Sequence, residues 1–385
     1  MKTLEVVFFD AGGGHRSAAN ALKEVAESQG RPWDARLMNL QELLDELDIF
    51  RKMTGVRLED LYNLMLRRGW TLGSPALLGM MHGIIRLYHP LQVKLLERHW
   101  SRNLAGKARP DMIVSVIPNF NRALWEAKQR TLPDAPMVTI LTDMADYPPH
   151  FWMERQPQYF ICGTERAYRQ ALEMGRPRER VFRVSGMILN PRFYEPVAMD
   201  RERGREALGL DQRLPTALMM FGGEGSAVMV EIAEALAASG LDLQLIAICG
   251  KGRRVQAALG EIAGRMRMHI EGFTREVPRF MRLADFFIGK PGPGSISEAI
   301  AMGLPVIIER NMWTLPQERY NAEWVEEQGV GIALRSFKKG VVDAVRRMLD
   351  LKGRCEFVRN VMRHENRAVF EIPEILERIL AAHES

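Results

Sequence analysis

Short, nearly unbroken apolar runs recur along the chain. Each is followed by a turn and then by a segment whose apolar residues return at helical spacing. In the first half the runs are LEVVFF (4–9), ARLMNL (35–40), MIVSVI (112–117), MVTIL (137–141), QYFIC (158–162) and VFRVSG (181–186). Strands buried on both faces of a parallel sheet read this way, because neither face alternates with polar residues. RSAANALKEVAES (16–28) is one of the helical segments between them. The alternation predicts a doubly wound α/β sheet.

The rhythm breaks at LNPRFYEPVAMDRERGREALGLDQRLP (189–215), a proline- and charge-rich stretch that reads as a linker and an entry helix. It then restarts with TALMMF (216–221), LQLIAIC (243–249), MHIEGF (268–273), DFFIG (285–289) and PVIIE (305–309), with helices expected near 228–238, 276–283 and 295–302. Residues 340–383 read as helical. The expected organisation is α/β, with two Rossmann-like doubly wound domains facing a cleft. They span 1–189 and 190–365, and a last helix at about 366–385 packs back on the first.

Bulk properties narrow this picture modestly. A chain of 385 residues is long for one core, and 46% hydrophobic with 26% charged residues is ordinary for a globular protein. Cys162, Cys249 and Cys355 are far apart and show no metal-ligand spacing, which points to a reducing compartment and away from zinc. The opening MKTLEVVFFDAGGGH does not read as a signal peptide, and no run reaches the roughly 18 apolar residues of a membrane span.

The net charge of +5 is uneven: between Arg51 and Lys107 there are ten Lys/Arg against three Asp/Glu. Over 51–100 these cations alternate with Trp70, Leu77, Leu78, Met80, Met81, Ile84, Ile85, Tyr88 and Trp100. Basic and large apolar residues together suit an interface with an anionic membrane, where Arg67, Arg68 and Trp70 would engage the surface. The same pattern also fits core-packing helices with a solvated basic face. No nucleic-acid-binding signature accompanies the charge.

Two loops carry the chemistry of the second half. GKPGPGSISEA (289–299) follows a strand and opens a helix, and FGGEGSA (221–227) does the same. A helix start offers unpaired N–H groups and partial positive charge to a phosphate, and glycines let the backbone come close. Ser295 or Ser297 would cap the helix or meet a phosphate oxygen, and Glu298, expected in the first turn, could accept from a ribose diol. Each loop is also readable as an ordinary strand-to-helix turn. There is no Walker-type Lys-Ser/Thr, which disfavours nucleotide hydrolysis. In WTLPQERYNAEWV (313–325), Gln317, Glu318 and Asn321 could hold sugar hydroxyls or simply cap a helix.

The run from Gly272 to Gly331 resembles the nucleotide-sugar domain of the monogalactosyldiacylglycerol synthase family, which is related to the MurG-type glycosyltransferases. GGGHRSAANAL, LYNLMLRRGW, VSVIPNF, TILTDMADYPPHFW and VFRVSGMILNPRF resemble the same family in the same order. The resemblance implies a GT-B fold, a UDP-sugar donor, a diacylglycerol acceptor and inversion at the anomeric carbon. It implies that Gly223, Gly292, Gly294 and Ser295 hold the diphosphate, that Phe273 faces the uracil, and that Glu298 binds the ribose. Gln317 and Glu318 would bind the hexose, galactose or glucose. The hexose loop departs from the family's Pro-Gly-Gln-Glu, reading Leu315-Pro316-Gln317-Glu318.

In the turn DAGGGH, Gly13 and Gly14 would border the acceptor, and His15 at a strand end is the candidate general base. A helix start there would lower its pKa and favour the neutral imidazole. Asp143 could orient His15, act as base itself or bind the acceptor, with His150 in reserve. No D-x-D motif is present, so neither a cofactor nor a metal is expected, and backbone donors would stabilise the leaving UDP. The expected protein is a peripheral enzyme on the cytoplasmic face of a membrane. The rivals are an isomerase of the UDP-N-acetylglucosamine 2-epimerase type, a GT-B transferase with another acceptor, and a non-catalytic binding protein.

Overall fold

The computed structural model describes residues 1–10, 13–44, 74–102, 109–196, 200–311 and 314–383; within these the side chains of 74–82, 84, 102 and 351 lie outside the description. The chain divides into two compact units. The first runs to Pro191 and resumes at Asn366, and the second holds Arg192–Glu365.

In unit 1 the elements are β1 (Lys2–Phe8), α1 (Gly14–Ser28), β2 (Trp33–Asn39), α2 (Leu40–Leu44), α3 (Ser74–Arg102), β3 (Met112–Ser115), α4 (Asn121–Thr131), β4 (Met137–Ile140), β5 (Tyr159–Cys162), α5 (Glu165–Glu173) and β6 (Val181–Arg183). The six strands are all parallel, in the order β2-β1-β3-β4-β5-β6. β3 and β4 are buried at every position, as their mostly apolar sequence predicts, with Ser115 and Thr139 buried among the apolar residues. β2 is an edge strand and tolerates Asp34 and Arg36. On α1 the residues turned inward are mostly small: Ala18, Ala19, Ala21, Leu22, Val25 and Ala26. Their size brings the helix close to the sheet.

Unit 2 comprises α6 (Arg201–Glu206), β7 (Thr216–Met220), α7 (Val228–Ala238), β8 (Gln244–Ile248), α8 (Arg253–Ile262), β9 (Met268–Glu271), α9 (Val277–Leu283), β10 (Phe286–Gly289), α10 (Pro293–Ala301), β11 (Val306–Glu309), α11 (Arg319–Glu327), β12 (Gly331–Leu334), α12 (Phe337–Leu349) and α13 (Leu351–Val361). Its parallel sheet has the order β12-β11-β10-β7-β8-β9. The entry helix α6 is tied down by Arg205, whose Nη2 donates to Asp285 at 2.9 Å, while the other Arg205 nitrogens reach the carbonyls of Leu283, Gln212 and Leu214. β12 was not expected from the sequence. Its four residues are too short for a periodic signal, and its pairing depends on Gly331, where a Cβ would lie 2.0 Å from the Val306 carbonyl.

The last helix, α14 (Ala368–Ala382), belongs to unit 1. Ala368, Ile372, Ile375, Leu376, Ile379 and Leu380 share a core cluster with Leu4 and Val6 of β1 and with Ala19 and Leu22 of α1. The returning chain is fastened at 185–187. Asn366 Nδ2 donates to the Met187 carbonyl at 2.9 Å, Arg367 N donates to Ser185 Oγ at 2.7 Å, and Ser185 N donates to Glu371 at 2.8 Å.

The basic segment resolves in part. Arg67, Arg68 and Trp70 lie outside the described residues. Trp100, expected to join an interface, is instead a core residue with its Nε1 donating to the buried Glu5 at 2.6 Å. Val93, Leu95 and Leu96 are buried with it, so the last turns of α3 are core. Further back on the same helix, Leu87 is 74% exposed and Leu91 43%. Among the described residues, no helix is long and apolar enough to cross a membrane.

Because Ile372 is fully buried between α14 and the sheet, Ile372→Ala should cost about 2–5 kcal/mol. Denaturant unfolding followed by hydrogen exchange should locate the loss in unit 1; an unchanged midpoint would mean that α14 contributes little to that core.

Candidate active site

In unit 1 the strand order reverses between β1 and β3. Connections leaving these strands diverge there and open a crevice at their carboxyl ends. His15, the second residue of α1, sits at this point. Its Nδ1 lies 2.7 Å from the carbonyl of Val116, just past β3. A carbonyl only accepts, so Nδ1 carries the proton and Nε2 keeps its lone pair. Thr142 Oγ1, in the loop after β4, lies 3.0 Å from the same Nδ1. Residues following three neighbouring strands thus fix one imidazole in the tautomer of a base. The ring is half-buried, and its loss of water pushes the pKa down to about 4 against the opposing Val116 hydrogen bond. The downward direction matches the expectation, but the cause is burial. Gly13, at φ +79°, turns the chain into α1, and a Cβ at Gly13 or Gly14 would meet nothing within 4 Å among the described residues.

Asp143 is buried and accepts from Trp152 Nε1 at 2.8 Å. The Trp152 ring lies 6.0 Å from that of His15, centroid to centroid. The tautomer of His15 is set by the Val116 carbonyl, and Asp143 holds the indole beside the ring. Sequence reasoning passed over Asp146, which organises the same loop: it accepts from the backbone N–H of Trp152 at 2.6 Å and of His150 at 3.0 Å. Burial raises its pKa against these bonds. His150 is exposed, with its Nδ1 3.3 Å from the Met153 carbonyl.

In unit 2 the order reverses between β7 and β10, and the two glycine-rich loops are the segments that follow these strands. Within the first, Gly225 serves packing, since a Cβ there would lie 2.6 Å from the Cys249 carbonyl, and the turn after β8 closes on this loop. Lys251 N donates to the Gly223 carbonyl at 2.8 Å, and a Cβ at Gly250 would come within 2.2 Å of that same oxygen. Gly223 and Gly294 themselves face open space, where a Cβ would meet nothing within 4 Å among the described residues. α10 begins at Pro293, two residues before the expected start, because proline suits the first helical position. The first intrahelical bond is made by Ile296 to Gly292 at 3.1 Å, which leaves the Gly294 and Ser295 amides for a ligand. Ser295 Oγ donates back to Gly292 at 3.2 Å.

The earlier start corrects the position of Glu298, which falls in the second turn of α10 rather than the first. Glu298 is half-buried, and desolvation raises its pKa to about 7. Among the described residues no donor is paired with its carboxyl group. Phe273, just past β9, is 63% exposed, with Lys251 Nζ 5.9 Å from its ring centroid. Gln317 and Glu318 lie in a single 3₁₀ turn leading into α11. Asn321 departs from its expected role: fully buried, its Nδ2 donates to the Pro291 carbonyl at 2.7 Å and so braces the phosphate loop. The residue missed here is Lys290. Its Nζ donates to Glu318 Oε1 at 3.2 Å, and its Cε would lie 3.7 Å from a Cβ at Gly222 and 3.2 Å from one at Gly292. A cation lies across both glycine loops.

Comparison with known proteins now bears on these two units. A family profile described as monogalactosyldiacylglycerol (MGDG) synthase matches residues 15–187, and one described as glycosyltransferase family 28 C-terminal domain matches 218–357. The chain is 29% identical over 365 residues to the probable monogalactosyldiacylglycerol synthase 2, chloroplastic, of Oryza sativa subsp. japonica, covering 90% of this chain and 73% of that protein. By these matches the first unit carries an MGDG synthase domain and the second a glycosyltransferase family 28 C-terminal domain. The chain's fold is GT-B. The crystal structure of Acinetobacter baumannii MurG matches with a TM-score of 0.65 at 12% identity, over 98% of this chain and 100% of that one. A putative UDP-N-acetylglucosamine 2-epimerase from Listeria monocytogenes matches with a TM-score of 0.60 at 14% identity, over 96% and 94%. The fold alone therefore does not separate a transferase from the rival epimerase. The two domain matches do, and they make the protein a UDP-sugar-dependent glycosyltransferase.

The state of His15 is directly measurable. Its folded pKa, about 4, lies below the ordinary 6.5. As pH falls from 6.5 towards 4 the unfolded chain binds a proton that the folded chain refuses, so this group makes the fold less stable across that window. The ring proton resonances of His15, assigned by their loss in His15→Asn, should stay in the neutral position from pH 8 to about 5. A midpoint near 6.5 would show a solvated, ordinary histidine.

Proposed function

We propose that the protein transfers a hexose from a UDP-sugar to the free hydroxyl of diacylglycerol, with inversion, at a membrane surface. The observation that carries this reading is the neutral His15, held with Nε2 unprotonated at the switch point of unit 1. The acceptor hydroxyl passes its proton to Nε2 as its oxygen attacks the anomeric carbon. The bond to the β-phosphate oxygen breaks on the opposite face, and UDP departs. In unit 2, the amides of Gly294 and Ser295 would receive the diphosphate, Glu298 the ribose diol and Phe273 the uracil face. Gln317 and Glu318 would take the hexose hydroxyls. The name of the rice relative favours galactose over glucose. We assign the leaving-group charge to protein donors rather than to a metal or cofactor.

The membrane part of the reading is supported by α3. Leu87 and Leu91 are exposed one turn apart, and the exposed Arg86, Lys94 and Arg98 flank them. Leucines would enter the interface while the cations meet anionic headgroups, at about 1 kcal/mol each. We place the protein peripherally on the cytoplasmic side.

The direct test is to incubate the purified chain with UDP-galactose or UDP-glucose and diacylglycerol, and to identify lipids by mass spectrometry. A glycosyldiacylglycerol is expected. An epimer formed from UDP-N-acetylglucosamine without acceptor would favour the isomerase instead. His15→Ala should lower kcat by about 10²–10⁴-fold with UDP affinity nearly unchanged. Turnover near the parent level would make His15 structural.

For the membrane, Leu87→Asp with Leu91→Asp should reduce co-sedimentation with anionic vesicles while leaving activity on a detergent-solubilised short-chain acceptor largely intact. Equal binding to neutral and anionic vesicles, insensitive to salt and to these changes, would remove α3 from the interface.

A further inference from the structure

Lys290 has no place in the chemistry described so far, yet it lies at the centre of the donor loops. It sits between Gly289, the last residue of β10, and the proline–glycine turn that starts α10. Its side chain runs close to the positions a Cβ would take at Gly222 and at Gly292. Those glycines belong to the two loops that flank the reversal of strand order in unit 2. Its side chain therefore borders both loops.

The partner of that ammonium is informative. Nζ is bonded to Glu318 Oε1 at 3.2 Å, with the lysine side chain 43% exposed and the glutamate 11%. Glu318 is placed to take a hexose hydroxyl, and Lys290 is placed to take phosphate oxygens. In this structure the two groups satisfy each other. Only the lysine end of this pair faces solvent, so the ammonium can swing to another acceptor without leaving the surface, while the buried Glu318 stays in place. A diphosphate carries at least two negative charges and offers several acceptor oxygens, against one carboxylate.

We propose that Lys290 is the cation that binds the donor's diphosphate and that it exchanges Glu318 for it. The exchange does two things. It brings a fixed positive charge to the oxygen that becomes negative as UDP leaves. It also releases the Glu318 carboxylate from its ion pair, so that it accepts a hexose hydroxyl only when a diphosphate is in place. This inference rests on the reading of unit 2 as the donor site and adds to it a residue and an order of events.

The test compares UDP with uridine by calorimetry on the full chain. Uridine shares the base and ribose contacts but has no phosphate. Lys290→Met should weaken UDP binding about 10- to 100-fold, as expected for charged hydrogen bonds, and leave uridine binding unchanged. Lys290→Arg should restore part of the loss. Glu318→Gln should do the opposite of an ordinary site mutation: UDP affinity should rise about three- to fivefold, because the competing carboxylate is gone, while kcat with UDP-sugar falls. The proposal is overturned if Lys290→Met shifts UDP and uridine equally, or if Glu318→Gln weakens UDP. Failure of the parent protein to bind UDP at all would instead overturn the donor-site reading, and this proposal with it.

Discussion

Parallel strands in one sheet all end on the same side, and their connections must return over one face or the other. At one place in each sheet the order reverses, between β1 and β3 in unit 1 and between β7 and β10 in unit 2. Connections on either side of that place go to opposite faces, and the backbone between them cannot be covered by a helix. The groups argued to carry the chemistry follow from this constraint. His15 is there because α1 starts there, and its ring reaches the chain leaving β3 because no connection lies between. Gly223, Lys290, Gly292 and the first amides of α10 are there for the same reason. Residues further away, such as Asp143, Asp146 and Asn321, act by holding the loops that those strand ends emit.

Desolvation is used in two opposite senses. At His15 it removes the charged form, leaving a neutral ring whose free nitrogen is fixed by a carbonyl on the other. At Glu298 it raises the pKa to about 7, and among the described residues no donor pairs with the half-buried carboxyl. Burial without a partner is costly, and a sugar diol would supply the missing donors.

Much of the fold was legible because fully buried parallel strands write themselves as apolar runs. Eleven of the twelve strands lie within or beside runs read from the sequence. β12 escaped because four residues carry no period and its defining residue, Gly331, reads as a turn. Among the site residues, glycine turns, His15 and Glu298 stand out because their residue types are unusual after a strand. What the sequence hides is direction. It does not tell that Trp100 points into the core towards Glu5 while Leu87, thirteen residues earlier on the same helix, points out. Nor does it tell that Lys290 lies across the glycine loops, since one lysine beside a turn is indistinguishable from a solvated one.

The second unit is, in chain order, an insertion within the first. Unit 1 is interrupted at Pro191 and completed by Asn366 onwards, with α14 supplying a face of the core built on β1 and α1. During synthesis the whole of unit 2 leaves the ribosome before that helix does. Unit 2 therefore has every residue of its own core available while unit 1 still exposes Leu4, Val6 and Leu22. A nascent chain in that condition presents apolar surface of the kind chaperones bind. The order of maturation is set by connectivity alone: unit 2 is complete first, and the unit bearing His15 closes its core last.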